Sequence, residues 1–169
     1  MRNIVLVIVF LLSISLQVNA QWRWHSPSPQ GNAINDVVML SRDTLICVGE
    51  FGTILRSTNA GGSWQNQTRI NESDLNKIYF IDKKNGWIAG ALGKVMKTTD
   101  AGETCLTQNT STSLALYDVE FTSIDKGFVV GENGYIAKTT NGGNSWQAIT
   151  TTQQTLFSLQ FIDSLNAWA

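Results

Sequence analysis

The chain has 169 residues, with 12 Lys and Arg against 13 Asp and Glu, two Cys and one His. Its net charge of -1 offers no basic footprint for nucleic acid, and so few His and Cys residues cannot make a zinc site of ordinary spacing. Because 43% of the residues are hydrophobic and six are Trp, the chain can bury a core, which excludes general disorder. Length alone predicts one domain.

The first twenty residues have the three-part layout of a secretory signal peptide. Arg2 gives a basic start, residues 4–16 are almost continuously aliphatic, and small residues precede a cleavage site between Ala20 and Gln21. The alternative is a transmembrane anchor, but a membrane span takes about 20 apolar residues and this run is shorter. We therefore predict that residues 1–20 are a signal peptide. The protein is then exported, whether periplasmic, on the cell surface or extracellular, with no integral membrane segment after cleavage.

Two motifs recur in phase every 41 residues through the rest of the chain. The first, Val48-Gly49-Glu50-Phe51-Gly52, returns at residues 89–93 and 130–134. The second lies at residues 57–64, 98–105 and 139–146. Around them, short alternating segments predict four strands per copy, because no stretch of the mature chain keeps a helical period. Four strands in about 40–45 residues, repeated, are typical of a propeller blade.

The predicted strands of copy one show how each repeat is divided. The first strand contains Ile34 and Val37, the second spans residues 45–48, the third spans residues 53–56, and the fourth opens at Trp64. The third strand is expected at 94–97 and 135–138 in the later copies, and the fourth opens at Cys105 and Trp146. The repeats are placed at about 33–73, 74–114 and 115–154, with the start of a fourth at 155–169.

The predicted fold class is therefore all-β, a propeller of four-stranded antiparallel blades. A blade cannot bury its faces alone, and a ring normally has 4–8 blades. Residues 21–169 hold about three and a half repeats, so we expect an incomplete propeller that is the first part of a longer one. Trp22-Arg23-Trp24 is interpreted as an outer strand that completes the last blade of the ring.

The second motif resembles the Asp-box, also called the bacterial neuraminidase repeat. Its positions are Ser57, Asn59, Gly61, Ser63 and Trp64 in copy one, Thr98, Asp100, Gly102, Thr104 and Cys105 in copy two, and Thr139, Asn141, Gly143, Ser145 and Trp146 in copy three. With the Gly-x-x-Gly turn and the basic residue before each box, residues 22–169 resemble the photosystem II stability/assembly factor family. That resemblance implies seven blades and a role in assisting assembly or stability of photosystem II.

The residue types of the box suggest a structural role. An Asp or Asn side chain bonds the backbone of its own turn, Gly adopts the left-handed conformation, a Ser or Thr hydroxyl closes the loop, and Trp wedges between sheets. The alternative is a calcium loop, since Asp-x-x-Gly occurs in calcium sites. Two of the three copies carry Asn and no series of carboxylates accompanies them, so no metal and no cofactor is predicted.

The repeated carboxylates are the candidate catalytic residues of the chain. Glu50 matches Glu132 in the Gly turns, and Asp36 matches Asp118 near the first strand. Residues that follow the repeat favour a scaffold, because a catalytic pair usually breaks it. Tyr79 and Tyr135 are interpreted as packing residues rather than as a sialidase-type nucleophile.

Arg56, Lys97 and Lys138 are equivalent and form a basic arc at one level of the ring. Such an arc is a weak candidate for binding an acidic partner or a polysaccharide. The alternative is a solvated strand end beside Glu50 and Glu132.

Cys47 and Cys105 match apolar or aromatic positions and are interpreted as core residues. A disulfide between them is the alternative, open to an exported protein.

These patterns favour a non-catalytic, exported propeller, not an enzyme, that binds a protein or a cell-envelope polymer. The alternative is a glycan-active or glycan-binding propeller, such as a sialidase-like or xyloglucanase-like glycoside hydrolase. No nucleic-acid partner is expected.

Overall fold

The computed structural model describes residues 31–67, 72–149, 153–163 and 166–169. The predicted signal peptide, its cleavage site at Ala20 and Gln21, and the segment Trp22-Arg23-Trp24 lie outside the described residues. In the described part of the chain, no helix is long and apolar enough to cross a membrane.

Strands account for nearly all the regular structure. The first sheet contains β1 (Ile34–Met39), β2 (Leu45–Gly49), β3 (Thr53–Ser57) and β4 (Gln65–Asn66). The second contains β5 (Leu75–Phe80), β6 (Gly86–Gly90), β7 (Val95–Thr98) and β8 (Leu106–Gln108). The third contains β9 (Leu116–Phe121), β10 (Gly127–Gly131), β11 (Ile136–Thr139) and β12 (Gln147–Ala148), and β13 (Gln160–Phe161) pairs with β14 (Ala167–Trp168).

Each of the three full sheets is antiparallel, with its strands in chain order. The predicted all-β class with four-stranded antiparallel sheets is confirmed. The fourth strands begin one residue after Trp64, Cys105 and Trp146, because those residues still belong to the preceding loops. β7 and β11 begin one residue later than the sequence predicts, whereas β3 begins where it was expected.

The turn between the second and third strands has the same backbone in all three sheets. Its two central residues both have positive φ, for example 55° at Asn133 and 69° at Gly134. This conformation is that of a type I′ turn, for which Asn-Gly is a favoured pair. Glycine is needed at the second position, where φ is also 69° at Gly52 and 67° at Gly93.

The core lies between the sheets, which we number as blades one to three. Between blades one and two, the buried residues are Ile46, Val48, Ile54, Leu75, Ile78, Ile88, Met96 and Cys105. Between blades two and three, they are Trp87, Ala89, Val95, Leu116, Val119, Phe121, Val129, Tyr135 and Ala137. Neither cluster belongs to one sheet alone, so each blade depends on its neighbour for burial.

The β13–β14 hairpin begins the same contact on the far side of blade three. Phe161 lies 5.3 Å from Phe128 between ring centroids, and Phe157 lies 5.0 Å from Tyr117. Leu159 is buried against this side, whereas Trp168 is 71% exposed. The hairpin therefore continues the stacking of blades along the chain.

Candidate functional site

The three loops between the third and fourth strands, residues 57–64, 98–105 and 139–146, share one hydrogen-bond pattern. We call them the box loops. In the first, the Ser57 hydroxyl donates to the Asn59 Oδ1 at 3.0 Å and accepts from the Gly61 N–H at 2.9 Å. The same Oδ1 accepts the Ser63 N–H at 2.8 Å. Thr98, Asp100 and Thr104, and Thr139, Asn141 and Ser145, repeat these bonds. Each loop is thus held by its own side chains.

The second box loop differs from the others in its charge. In the outer two, the Asn59 and Asn141 Nδ2 groups donate to the Ser63 and Ser145 hydroxyls at 2.9 and 2.8 Å. In the second, the Thr104 hydroxyl instead donates to the Asp100 carboxylate at 2.6 Å. Hydrogen bonds from the Thr104 side chain and N–H lower the pKa of Asp100. The same two positions of the loop are therefore hydrogen-bonded in all three blades. The Asn side chain is the donor to the Ser hydroxyl, whereas the Asp carboxylate is the acceptor from the Thr hydroxyl.

The residue that ends each box loop faces the preceding blade where one is described. Trp146 packs against the core between blades two and three, where its ring meets Phe121 of its own blade edge-on with centroids 6.0 Å apart. Cys105 is buried in the core between blades one and two. Trp64, at the same place in blade one, is half-buried. The indole N–H groups of Trp64 and Trp146 are buried without a hydrogen-bond partner among the described residues.

Arg56, the first residue of the basic arc, contacts the next blade instead of lining a solvated strand end. The Arg56 Nε donates to the Ala101 carbonyl at 3.0 Å, and its Nη2 lies 3.5 Å from the Glu103 carboxylate. The Arg56 side chain is only 11% exposed. Its position beside Glu50, one of the interpretations from the sequence, is wrong, because β3 places these two residues at opposite ends of the strand.

Lys97 occupies the corresponding position in blade two. Its Nζ lies 5.3 Å from the centroid of the Trp87 ring, a cation–π contact. Lys138 pairs in register with Phe128 and Gln147 in blade three. Arg56 thus contacts the following blade, and Lys97 contacts an aromatic ring of its own blade.

The repeated aspartates join neighbouring blades. The Asp36 Oδ2 accepts the Ile78 N–H at 2.9 Å and lies 3.3 Å from the Lys77 Nζ. Two blades further, in blade three, the Asp118 Oδ2 accepts the Leu159 N–H at 2.7 Å and the Ser158 hydroxyl at 3.3 Å. Each carboxylate thus accepts a backbone N–H of the following blade, within β5 for Asp36 and directly before β13 for Asp118.

The repeated glutamates lie in the turns at the start of the third strand. The Glu132 Oε2 accepts the Ala115 N–H at 3.3 Å, and the Glu132 N–H donates to the Ala115 carbonyl at 2.8 Å. The Glu50 N–H donates to the Ala33 carbonyl at 3.0 Å in the same way. Their backbones tie the turn to the segment before the first strand.

Lys77, Tyr79 and Glu120 lie together on the innermost strands of blades two and three, along an opening of about 230 Å³. The Tyr79 hydroxyl donates to the Phe121 carbonyl at 2.8 Å, and the Glu120 carboxylate accepts the Phe161 N–H at 3.0 Å. Loss of water raises the pKa of both side chains. The Tyr135 hydroxyl likewise donates to the Thr110 carbonyl, at 3.2 Å. Both tyrosines are therefore hydrogen-bonded within the fold.

Both cysteines are buried, and they do not form a disulfide with each other, so the alternative of a Cys47–Cys105 disulfide is not seen. Burial, with the nearby Asp36 charge as the smaller cause, raises the pKa of Cys47 to about 11. A thiol that stays protonated is a poor nucleophile and a poor metal ligand. No three His, Cys, Asp or Glu side chains in the described ranges are grouped so that they could hold a metal ion.

Some bonds between blades were not anticipated from the sequence. The Asn35 and Asn76 side chains donate to the Leu75 and Leu116 carbonyls at 2.9 and 2.8 Å. The Gly142 carbonyl accepts from both the Trp87 indole at 3.2 Å and the Gln108 amide at 3.1 Å. Asn35 and Asn76 stand 41 residues apart, so the repeat itself contained the signal for the first pair.

Comparison with known proteins places this architecture among propellers. The chain superposes on a structure of YCF48 bound to a D1 peptide with a TM-score of 0.66 at 22% identity, covering 78% of this chain and 44% of that one. YCF48 from Cyanidioschyzon merolae gives 0.64 at 22% identity, covering 75% and 42%. An ancestral GH74 enzyme gives 0.56 at 19% identity, covering 69% and 18%. No curated protein matches the chain.

The fold and the stacked blades define an incomplete β-propeller, with three full four-stranded blades and a hairpin that follows them. The superposed part spans less than half the length of the solved YCF48 chains. Residues 105–167 match the family model described as photosynthesis system II assembly factor YCF48. The resemblance to the photosystem II assembly factor family, predicted from the repeats, is thereby confirmed.

Proposed function

We propose that the chain is a non-catalytic, exported propeller that binds a protein partner, as an assembly factor related to those of photosystem II. The proposal rests mainly on where the repeated polar side chains are used. Asp36, Asp118 and Arg56 all bond the following blade, so these residues build a scaffold. A pair of glycosidase carboxylates must instead face each other across a sugar.

A protein partner agrees with the family resemblance. The structure of YCF48 bound to a D1 peptide superposes on 78% of this chain. We propose that this propeller likewise binds a peptide segment of a partner protein, and prefer this to a cell-envelope polymer. The box loops then act as structural Asp-boxes that keep the blades in register, and residues 1–20 direct export.

A binding titration tests the proposal. The full chain is titrated against a fluorescein-labelled D1 peptide, with the same peptide in scrambled order as the control, and anisotropy is followed. We expect saturable binding to the D1 peptide only. Equal binding of the two peptides, or no binding to either, contradicts the proposal.

A glycan-active propeller is the second candidate, favoured only by the shared fold of the ancestral GH74 enzyme. Incubation with sialosides and β-glucans distinguishes the two. We expect no turnover by the wild-type chain or by the Glu50→Gln and Glu132→Gln variants. Turnover by the wild type that is lost in either variant would establish the enzyme and remove the scaffold.

A further inference from the structure

One turn position carries a strained apolar residue in two of the three blades. The first central residue of the turn between the second and third strands is Phe51, Leu92 or Asn133, with φ of 53°, 57° and 55°. Asn tolerates this left-handed conformation, whereas it is unfavourable for a bulky side chain. Blade three therefore shows the residue that suits the turn, and blades one and two depart from it.

The departure gains nothing inside the fold. Phe51 is 60% exposed and Leu92 is 71% exposed, so little of either side chain is removed from water. The left-handed backbone is unfavourable for these residues, and their side chains remove too little apolar area from water to offset that cost. Strain of this kind points to a contact made outside the folded chain.

Asp74 joins the two turns into one surface. Its carboxylate accepts the Phe51 N–H at 2.9 Å, and its carbonyl accepts the Ala91 N–H at 2.8 Å, next to Leu92. Asp74 is exposed, and none of the ion pairs formed by described residues involves it. Asp74 therefore links the two turns that carry the exposed side chains of Phe51 and Leu92.

This end of the blades is acidic. Glu50, Glu72, Asp74 and Glu132 lie here, and Lys94 is the one basic residue that the described segments bring to it, already paired with Glu72. Arg56 and Lys97 lie at the other end of the same strands. This surface therefore fits a partner that presents a positive charge next to apolar groups.

We propose that Phe51, Asp74 and Leu92 form a docking surface for a segment of a partner protein that presents an apolar side chain beside Lys or Arg. The inference rests on the proposed protein-binding function and assigns its contact surface. The apolar side chains supply the buried area on binding, and Asp74 with Glu50 selects the cation.

The first test measures the strain. Phe51→Asn and Leu92→Asn should each raise the melting temperature of the full chain, by roughly 2–4 °C for a chain of this size. Asn133→Phe, the reverse change in blade three, should lower it. Unchanged or lower melting temperatures in both Asn variants would overturn the premise.

The second test measures docking with two defined ten-residue peptides. One alternates Leu and Lys, the other alternates Leu and Glu, and anisotropy is followed with the full chain. We expect binding of the Lys peptide only, weakened at least about fivefold in the Phe51→Asn/Leu92→Asn double variant and about threefold by Asp74→Asn. Added salt should weaken it further.

Ile124→Asn is the matched control, because Ile124 is 46% exposed in the turn at the opposite end of blade three. Its affinity should stay within about twofold of wild type. Equal affinity for the two peptides, or an unchanged affinity in the double variant, rejects the docking surface. If the double variant also keeps full D1-peptide binding, the proposed function stands while this inference fails.

Discussion

The two complete interfaces between blades have the same strand arrangement but bury different side chains. Between blades one and two the core is aliphatic, with Cys105 at the end of the box loop. Between blades two and three it is aromatic, where Trp87 stacks on Phe121 with centroids 3.5 Å apart and Trp146 closes the edge. One repeat geometry therefore accepts cores of different size and chemistry.

A single pair of positions shows how the exchange works. Ile46 in blade one lies so close to Gly102 that a Cβ there would be 2.5 Å from its Cδ1 atom. Trp87, at the matching place in blade two, donates its indole N–H to the Gly142 carbonyl. The box loop of the following blade receives either side chain, because it presents bare backbone at this point. The interface between blades two and three therefore has an added hydrogen bond and buries a larger apolar side chain at this position than the interface between blades one and two.

The largest effect is expected at this pair. Trp87→Ala removes a fully buried ring and its hydrogen bond, and should cost about 4–5 kcal/mol of unfolding free energy. Ile46→Ala should cost about 3 kcal/mol, since it leaves a smaller cavity. Urea unfolding followed by circular dichroism measures both. A larger loss for Ile46→Ala would reverse the ranking of the two interfaces.

The ends of the box loops give the next comparison. Trp146→Ala should cost about 3 kcal/mol because its ring contacts Phe121, whereas Cys105→Ala should cost about 1 kcal/mol. Trp64→Ala should cost less than Trp146→Ala, because Trp64 packs against neither described core cluster. The same urea titration applies, and equal losses at Trp64 and Trp146 would contradict the interpretation.

The aspartates between blades should act locally. Asp118→Asn replaces one acceptor of the Leu159 N–H and Ser158 hydroxyl by a donor or a weaker acceptor, at a cost of about 1–3 kcal/mol. Asp36→Asn should cost less, because Asp36 is more exposed. Hydrogen exchange reads the effect directly, since faster exchange at the Leu159 amide is expected only for Asp118→Asn. Unchanged exchange there would mean that the carboxylate does not hold the hairpin.

The smallest effect concerns pH. Folding lowers the pKa of Asp100, so its carboxylate stabilises the fold above the ordinary pKa of about 4, and this contribution is lost as the pH falls. Asp100→Asn, which copies the Asn59 and Asn141 loops, should flatten the melting temperature between pH 5 and pH 3. Asn141→Asp should steepen it. No difference between these variants would show that Asp100 is paired equally well in the unfolded chain.

The sequence predicted what one repeat contains and missed what two repeats share. The phase of Gly52, Gly93 and Gly134 located the turns, and the Ser57 and Asn59 types anticipated the bonds of the box loop, because these interactions are local. The contact of Arg56 with Ala101 joins different blades. No pattern within one copy encodes how the next copy is placed.

The remaining differences between sequence and structure concern side chains that reach the following blade. The alternative that puts Arg56 beside Glu50 is wrong, because equivalence along the chain says nothing about which blade a long side chain reaches. Trp87 stands where copy one has Ile46, and it is the largest fully buried side chain among the described residues. Only the packed arrangement shows that the following loop leaves room for an indole.

Several bonds between blades that involve side chains connect residues about one repeat apart, such as Asn35 with Leu75 or Asp118 with Leu159, and the others also join one blade to the next. Cohesion is thus passed from neighbour to neighbour, as in a one-dimensional stack. Heating or mechanical force should then separate blade one from blade two, at the interface that contains Cys105, while blades two and three stay packed around Trp87 and Trp146. A partner that contacts both Phe51 and Leu92 would bridge blades one and two and oppose their separation.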